Sequence, residues 1–175
     1  MNKLLLIAPL LALVLSGCPS TPIKEAPVED RKSDVTTVKV GDATVTGLPL
    51  ELTDSKSVLS KRIIYFDLDK YDIKDEYKEL VAAHAKFLVA NRPFKMLIQG
   101  HTDERGSREY NLSLGQKRAE AVKRNLILLG AKEEQVEAVS FGKEKPAAEG
   151  HNEAAWAQNR RAHMLYKSPA GSGEF

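Results

Sequence analysis

The chain has 175 residues, 42% hydrophobic and 29% charged, a balance that fits one globular domain with extras better than two full domains. Its formal net charge is +2. A near-neutral chain lacks the broadly basic surface that binding nucleic acid requires, while a local charged pocket stays open.

The first stretch, "MNKLLLIAPLLALVLSGC", has a basic start at Lys3, an apolar run from Leu4 to Leu15 and small residues before Cys18. That run falls short of the roughly 20 residues a membrane-spanning helix needs, and Pro9 weakens it as a helix. Residues 1–17 therefore read as a secretory signal peptide. Their removal takes away one lysine, Lys3, and lowers the net charge from +2 to +1. Cys18 is the single cysteine, so no intrachain disulfide can form. "LSGC" resembles the lipobox of bacterial lipoproteins, and the resemblance implies a covalent lipid on Cys18. Acyl chains add about 0.8 kcal/mol per buried methylene. Pro19, rather than aspartate, follows the cysteine, which in the enterobacterial pattern implies the outer membrane.

Residues 18–57 are rich in Pro, Thr, Ser, Asp, Lys and Val and read as a tether. Its first part, if flexible, reaches about 30 Å by random-coil scaling. The part around Val38, Val40 and Val45 alternates weakly and is open to short strands. From Val58 the pattern tightens. "RIIYFDLD" (Arg62–Asp69) is β-branched and then acidic, as expected of a strand running into a loop. Asp75–Asn91 places Tyr77, Leu80, Val81, His84, Phe87 and Leu88 at helical spacing, with Asp75 as a candidate cap and Pro93 beyond the end. Phe94–Gly100 reads as a second strand. Ser107 is placed to cap a long helix running to about Leu129, with Leu114, Val122, Leu126 and Leu129 inward and Gly130 as the stop. Val136–Gly142 is a third strand, "NEAAWAQN" a short helix, and Arg160–Tyr166 a last strand. The tail, residues 168–175, is small and polar, reads as an appended flexible linker, and is left out of the fold. The expected fold is α+β: a two-layer sandwich with a four-stranded mixed sheet over residues 58–167, two main helices on one face and a short third helix.

The chemistry concentrates in "GHTDERGSREYNLSLGQKRAEAVK" (Gly100–Lys123). Gly100 and Gly106 are expected to allow tight turns. A helix start offers unpaired N–H groups that favour an anion. Asp103 supplies a negative charge, and Arg118 a planar fork that fits a carboxylate. Held at matching separation, the two would grip the ammonium and carboxylate of one amino-acid centre. A plain Asp103–Arg118 salt bridge fits the spacing equally well. Asp103, as a loop residue, is expected to contribute little to stability, and Arg118 slightly more through its aliphatic stem.

Other chemistries find less support. His101 and Asp103 lack a third ligand at metal-site spacing, so no metal is expected. His84 reads as a hydrogen-bonded core residue. No G-x-S-x-G is present and Cys18 is assigned to lipid, so an enzyme is not expected.

From Ile63 to Tyr166 the stretches "YFDLDKYDI", "GHTDERGSREYNLSLGQKRAEAVK" and "SFGKEKPAAEGHNEAAWAQNRRA" resemble the OmpA-like peptidoglycan-binding domain. The resemblance implies a non-covalent wall binder that recognises meso-diaminopimelate of the peptidoglycan stem peptide, with no cofactor besides the lipid. It implies that Asp103 takes the ammonium and Arg118 the carboxylate, and that Asp69, Leu68, Thr102, Arg105 and Leu114 line the same pocket. "NRR" is another family motif, and its Arg160 and Arg161 are expected to be structural or rim residues. The family further implies Tol proteins as partners, TolB among them, and an outer-membrane location facing the periplasm.

Overall fold

The computed structural model describes residues 47–175. The signal peptide, Cys18 and the tether up to residue 46 lie outside the described residues.

In chain order the elements are a one-turn helix α1 (Leu50–Thr53), β1 (Ile63–Tyr65), α2 (Lys78–Ala90), β2 (Lys95–His101), α3 (Arg108–Leu128), β3 (Val136–Gly142), α4 (Glu153–Asn159) and β4 (Arg161–Lys167). The sheet has four strands in the order β1-β4-β2-β3. β4 is antiparallel to both neighbours, with Ile64 opposite Ala162 and Ile98 opposite Met164, while β2 and β3 run parallel with Ile98 opposite Ala138. This is the mixed, two-layer α+β architecture expected.

Alternation along the strands decides which face is covered. Ile64, Met96, Ile98, Ala162, Met164 and Tyr166 all point to one side and are buried against Leu80, Val81, Phe87 and Leu88 of α2 and Ala119, Val122 and Leu126 of α3. Phe87 lies edge-on to both Phe94 and Tyr166, with ring centroids 5.2 and 5.3 Å apart. Ser107 and Asn152 cap α3 and α4, their side chains accepting from the N–H groups of Tyr110 and Ala155.

Several boundaries move. β1 is shorter than Arg62–Asp69, because after Phe66 N–H bonds the Arg160 carbonyl at 2.9 Å the chain turns, with Lys70 N–H on the Asp67 carbonyl and Asp69 at φ 57°. Asp75 caps nothing; it opens a 3-10 turn that leads into α2. Leu129 lies past the end of α3 and is half exposed, since Gly130 N–H already bonds the Ile127 carbonyl. The folded region also begins before residue 58: Leu48 and Leu52 are each 1% exposed and belong to the core. The C-terminal tail packs as well. Glu174 ion-pairs with buried Arg62 and accepts from Tyr166 N–H at 2.8 Å.

His84 is fully buried between α2 and the sheet, its Nδ1 2.8 Å from the Tyr166 hydroxyl and its Nε2 2.9 Å from the Lys61 carbonyl. A carbonyl only accepts, so Nε2 carries the proton and Nδ1 accepts from Tyr166. Burial pulls the His84 pKa down to about 4, more than the Lys61 bond raises it, so the ring is neutral at pH 7. Tyr166→Phe strands Nδ1 in the core and is expected to cost about 1–3 kcal/mol. Urea melts should show a lower midpoint at unchanged slope, and an unchanged midpoint would refute the pairing.

Candidate ligand-binding site

The site forms where three loops meet at one edge of the sandwich. β2 ends at His101, and Thr102 N–H bonds the Gly142 carbonyl at 2.9 Å, tying this loop to the end of β3. Asp103 then folds its carboxylate back over its own loop. Oδ1 accepts from Arg105 N–H at 3.1 Å and Arg105 Nε at 3.2 Å, and Oδ2 accepts from an Arg105 terminal nitrogen at 2.7 Å. Arg160, the residue between α4 and β4, approaches Oδ2 at 3.5 Å. Asn111 fixes the loop on the helix by donating to the Arg105 carbonyl at 2.7 Å.

On α3 the spacing Asn111, Leu114, Arg118 sets one side chain above the next. All three are buried, and Arg118 is fully so. Its guanidinium donates from Nε to the Lys70 carbonyl at 2.8 Å and from its two terminal nitrogens to the carbonyls of His101 at 2.8 Å and Asp67 at 3.1 Å. It also lies 5.3 Å from the Phe66 ring centroid. A guanidinium has five N–H groups. Two therefore remain without an acceptor among the described residues.

This reach depends on close approach of α3 to β2. Gly100 lies within β2 rather than in the turn expected of it, and a Cβ there would stand 1.9 Å from the Gly115 carbonyl oxygen of α3. Gly106, at φ 89°, does make the turn into the helix.

Leu68, Asp69, Thr102, Asp103, Arg105, Leu114 and Arg118, all named from sequence, line one cavity of about 280 Å³. Gly106, Tyr110, Asn111 and Arg160 complete it. Leu68 stands exposed at the rim, and the Tyr110 hydroxyl donates to the Asp69 carboxylate. Arg160 is more central than a rim role implies, since it touches Asp103 and also donates to the Phe66 carbonyl at 3.1 Å and to Glu153 at 2.6 Å. Asn111 was legible as the residue three before Leu114 and seven before Arg118 on one helix face. Arg161 instead donates to the Lys145 carbonyl at 3.2 Å and does not line the cavity. A larger cleft of about 630 Å³ lies beside Arg62, Tyr65 and His163, but its one acid, Glu174, already pairs with Arg62.

Asp103 and Arg118 do not pair directly: the Asp103 partners are Arg105 and Arg160, and those of Arg118 are backbone carbonyls. Nor is Asp103 a surface residue, being 5% exposed. Burial pushes its carboxyl up, but the Arg105 bonds and charge, with help from Arg160, outweigh that and hold it below the usual range. Burial pulls Arg118 down to about 10, partly offset by the nearby Asp103 charge, so it stays cationic at neutral pH. The His101 ring stacks on Phe141 at 5.6 Å and burial draws its pKa down to about 3; its carbonyl serves the site. No cluster of metal-ligating side chains occurs among the described residues.

A model described as the OmpA family matches residues 65–160. The peptidoglycan-associated lipoprotein of Pasteurella multocida is 52% identical over 103 residues, covering 59% of this chain and 69% of the relative. That of Pseudomonas aeruginosa is 45% identical over 113 residues, covering 65% and 67%. The crystal structure of the peptidoglycan-associated lipoprotein from Burkholderia pseudomallei superposes with a TM-score of 0.66 at 57% identity, covering 67% of this chain and 99% of that one. The C-terminal domain of Helicobacter pylori MotB, 19% identical with a TM-score of 0.56, shares the fold alone. The chain belongs to the OmpA family and, within it, to the peptidoglycan-associated lipoproteins.

Proposed function

We propose that this protein binds peptidoglycan non-covalently through meso-diaminopimelate of the stem peptide, and that a lipid on Cys18 anchors it to the outer membrane. Asp103 takes the ammonium of the diaminopimelate centre. Arg118 offers the carboxylate its two remaining N–H groups. Thr102, Leu114, Leu68 and Asp69 shape the surrounding wall, and no bond is made or broken. The observation that carries this reading is the convergence of a buried acid and a buried arginine on one cavity. The name of the relatives, peptidoglycan-associated lipoprotein, supports its peptidoglycan and lipid parts.

Many such clamps on one wall gain avidity from high effective concentration. The protein thereby tethers outer membrane to cell wall from the periplasmic face. It acts within the Tol–Pal envelope and cell-division system, where TolB, binding near the same site, releases it from the wall.

Ligand choice tests the site. A lysine-containing stem peptide lacks the second carboxylate, and losing a charge-assisted pair costs about 1.5–3 kcal/mol, or roughly ten- to a hundred-fold in affinity. Calorimetry should rank the diaminopimelate peptide ahead by that margin. Asp103→Asn, which keeps the shape and removes the charge, should no longer pellet with wall sacculi. Equal affinity for the two peptides, or a folded Asp103→Asn protein still retained on sacculi, would remove diaminopimelate from the site.

A further inference from the structure

Asp103 already holds a cation belonging to this chain. The Arg105 fork closes on both carboxylate oxygens, at 3.2 and 2.7 Å, and the Arg105 backbone N–H adds a third bond at 3.1 Å. With Arg160 at 3.5 Å, four N–H groups converge on two oxygens. A ligand ammonium reaches that carboxylate only by exchange with one of them.

The three arginines around the cavity differ in freedom. Arg118 is held by three carbonyls, and Arg160 by the Phe66 carbonyl and Glu153; both are buried. The Arg105 side chain is 36% exposed. In the same position its guanidinium already lies 4.1 Å from the Trp156 ring centroid and 3.9 Å from the Glu153 carboxylate. A cation over an indole face, beside an acid, loses little when it leaves another acid.

We infer that Arg105 is a displaceable internal cation, which sits on Asp103 in the place of the ligand ammonium and, when that ammonium enters, lets go of Asp103 and shifts across the Trp156 face to close on Glu153. The inference rests on the proposed diaminopimelate site. Exchanging one cation for another keeps the buried Asp103 compensated throughout, which an unpaired buried charge requires. It also makes the site selective for cationic ligands, because a neutral or purely anionic one has nothing to offer Asp103 in exchange.

Trp156 is the only tryptophan of the chain, so its fluorescence reports the move. The full chain is titrated with a meso-diaminopimelate stem tripeptide, read by calorimetry and fluorescence together. In the parent protein the Trp156 signal should change in step with binding. Arg105→Gln, which removes the competitor, should bind at least threefold more tightly and lose most of the fluorescence change, and Arg105→Lys should fall between. Tenfold weaker binding by a folded Arg105→Gln protein would make Arg105 a direct ligand contact and overturn the proposal, as would a parent signal that stays flat at saturation. If Arg105→Gln fails to fold, Arg105→Lys decides on the same sign of change. No calorimetric binding by the parent removes the diaminopimelate site itself, and this inference with it.

Discussion

Arg118→Ala is expected to lower the stability of the domain by about 3–5 kcal/mol, because it strands the backbone carbonyls that the guanidinium holds and empties the space of a fully buried side chain. The sequence predicted only a slight loss through the aliphatic stem. The structure overturns that, because Arg118 is fully buried and its fork joins three separate carbonyls. Two of these, Asp67 and Lys70, belong to the loop after β1; the third, His101, ends β2. Each carbonyl stranded in the interior costs about 1–3 kcal/mol. The total stays below the sum because Asp67 and Lys70 are exposed enough for water to reach them. Arg118→Lys should recover little, since an ammonium is a point donor and cannot span three acceptors in a plane. Arg124→Ala, on an exposed turn of the same helix, should stay within about 0.5 kcal/mol of the parent. Urea melts of the three variants read this directly, and an Arg118→Ala melt within 1 kcal/mol of the parent contradicts the stapling role. Loss of wall binding by Arg118→Ala is therefore ambiguous between a missing ligand contact and a loosened loop. Asp103→Asn is the sharper probe of binding.

Gly100→Ala is expected to cost about 3 kcal/mol or more, at or above the upper end for overpacking. The added Cβ meets the Gly115 carbonyl oxygen at 1.9 Å, and the Gly115 carbonyl carbon at 2.7 Å. Both are backbone atoms in the middle of a helix and have no rotamer to yield. α3 must shift outward from β2, which draws Arg118 away from the His101 carbonyl while Asp103 stays with the β2 loop. Stability and ligand affinity should fall together. Thermal melts beside peptide titration would show it, and a Gly100→Ala protein with parental melting and affinity would mean that the two backbones are not in contact.

The elements were legible where one physical signal dominated. Helical spacing of Leu80, Val81, His84, Phe87 and Leu88 placed α2, and β-branched runs placed the strands. Ser107 was legible as a cap because its hydroxyl precedes an amphipathic run. The pocket residues came from a motif, since spacing alone cannot show that Leu68 and Asp69 of one loop meet Asp103 of another. What stayed hidden was long-range. The burial of Arg118 depends on carbonyls far away in the chain, which carry no side-chain signature. Gly100 looked like a turn glycine because only a tertiary contact distinguishes close approach from a bend. Leu48 and Leu52 stand among polar tether residues, so their place in the core follows from the finished fold and not from local pattern. Arg105 read as a cavity wall; that it grips Asp103 follows from the tight loop geometry.

The position of the last strand has a further consequence. β4 is made last but lies between β1 and β2, which have no hydrogen bonds to one another without it. A chain emerging from its N-terminus can form α2 and α3 early, yet its sheet stays split until residues 161–167 arrive. Arg160 and the final hydrogen bonds of the β1 loop arrive in the same step, because Phe66 N–H bonds the Arg160 carbonyl. Assembly of the domain and completion of its pocket are therefore one late event. A chain cut short before β4 has neither a closed sheet nor a finished grip, so a truncated copy cannot compete with intact molecules for their ligand.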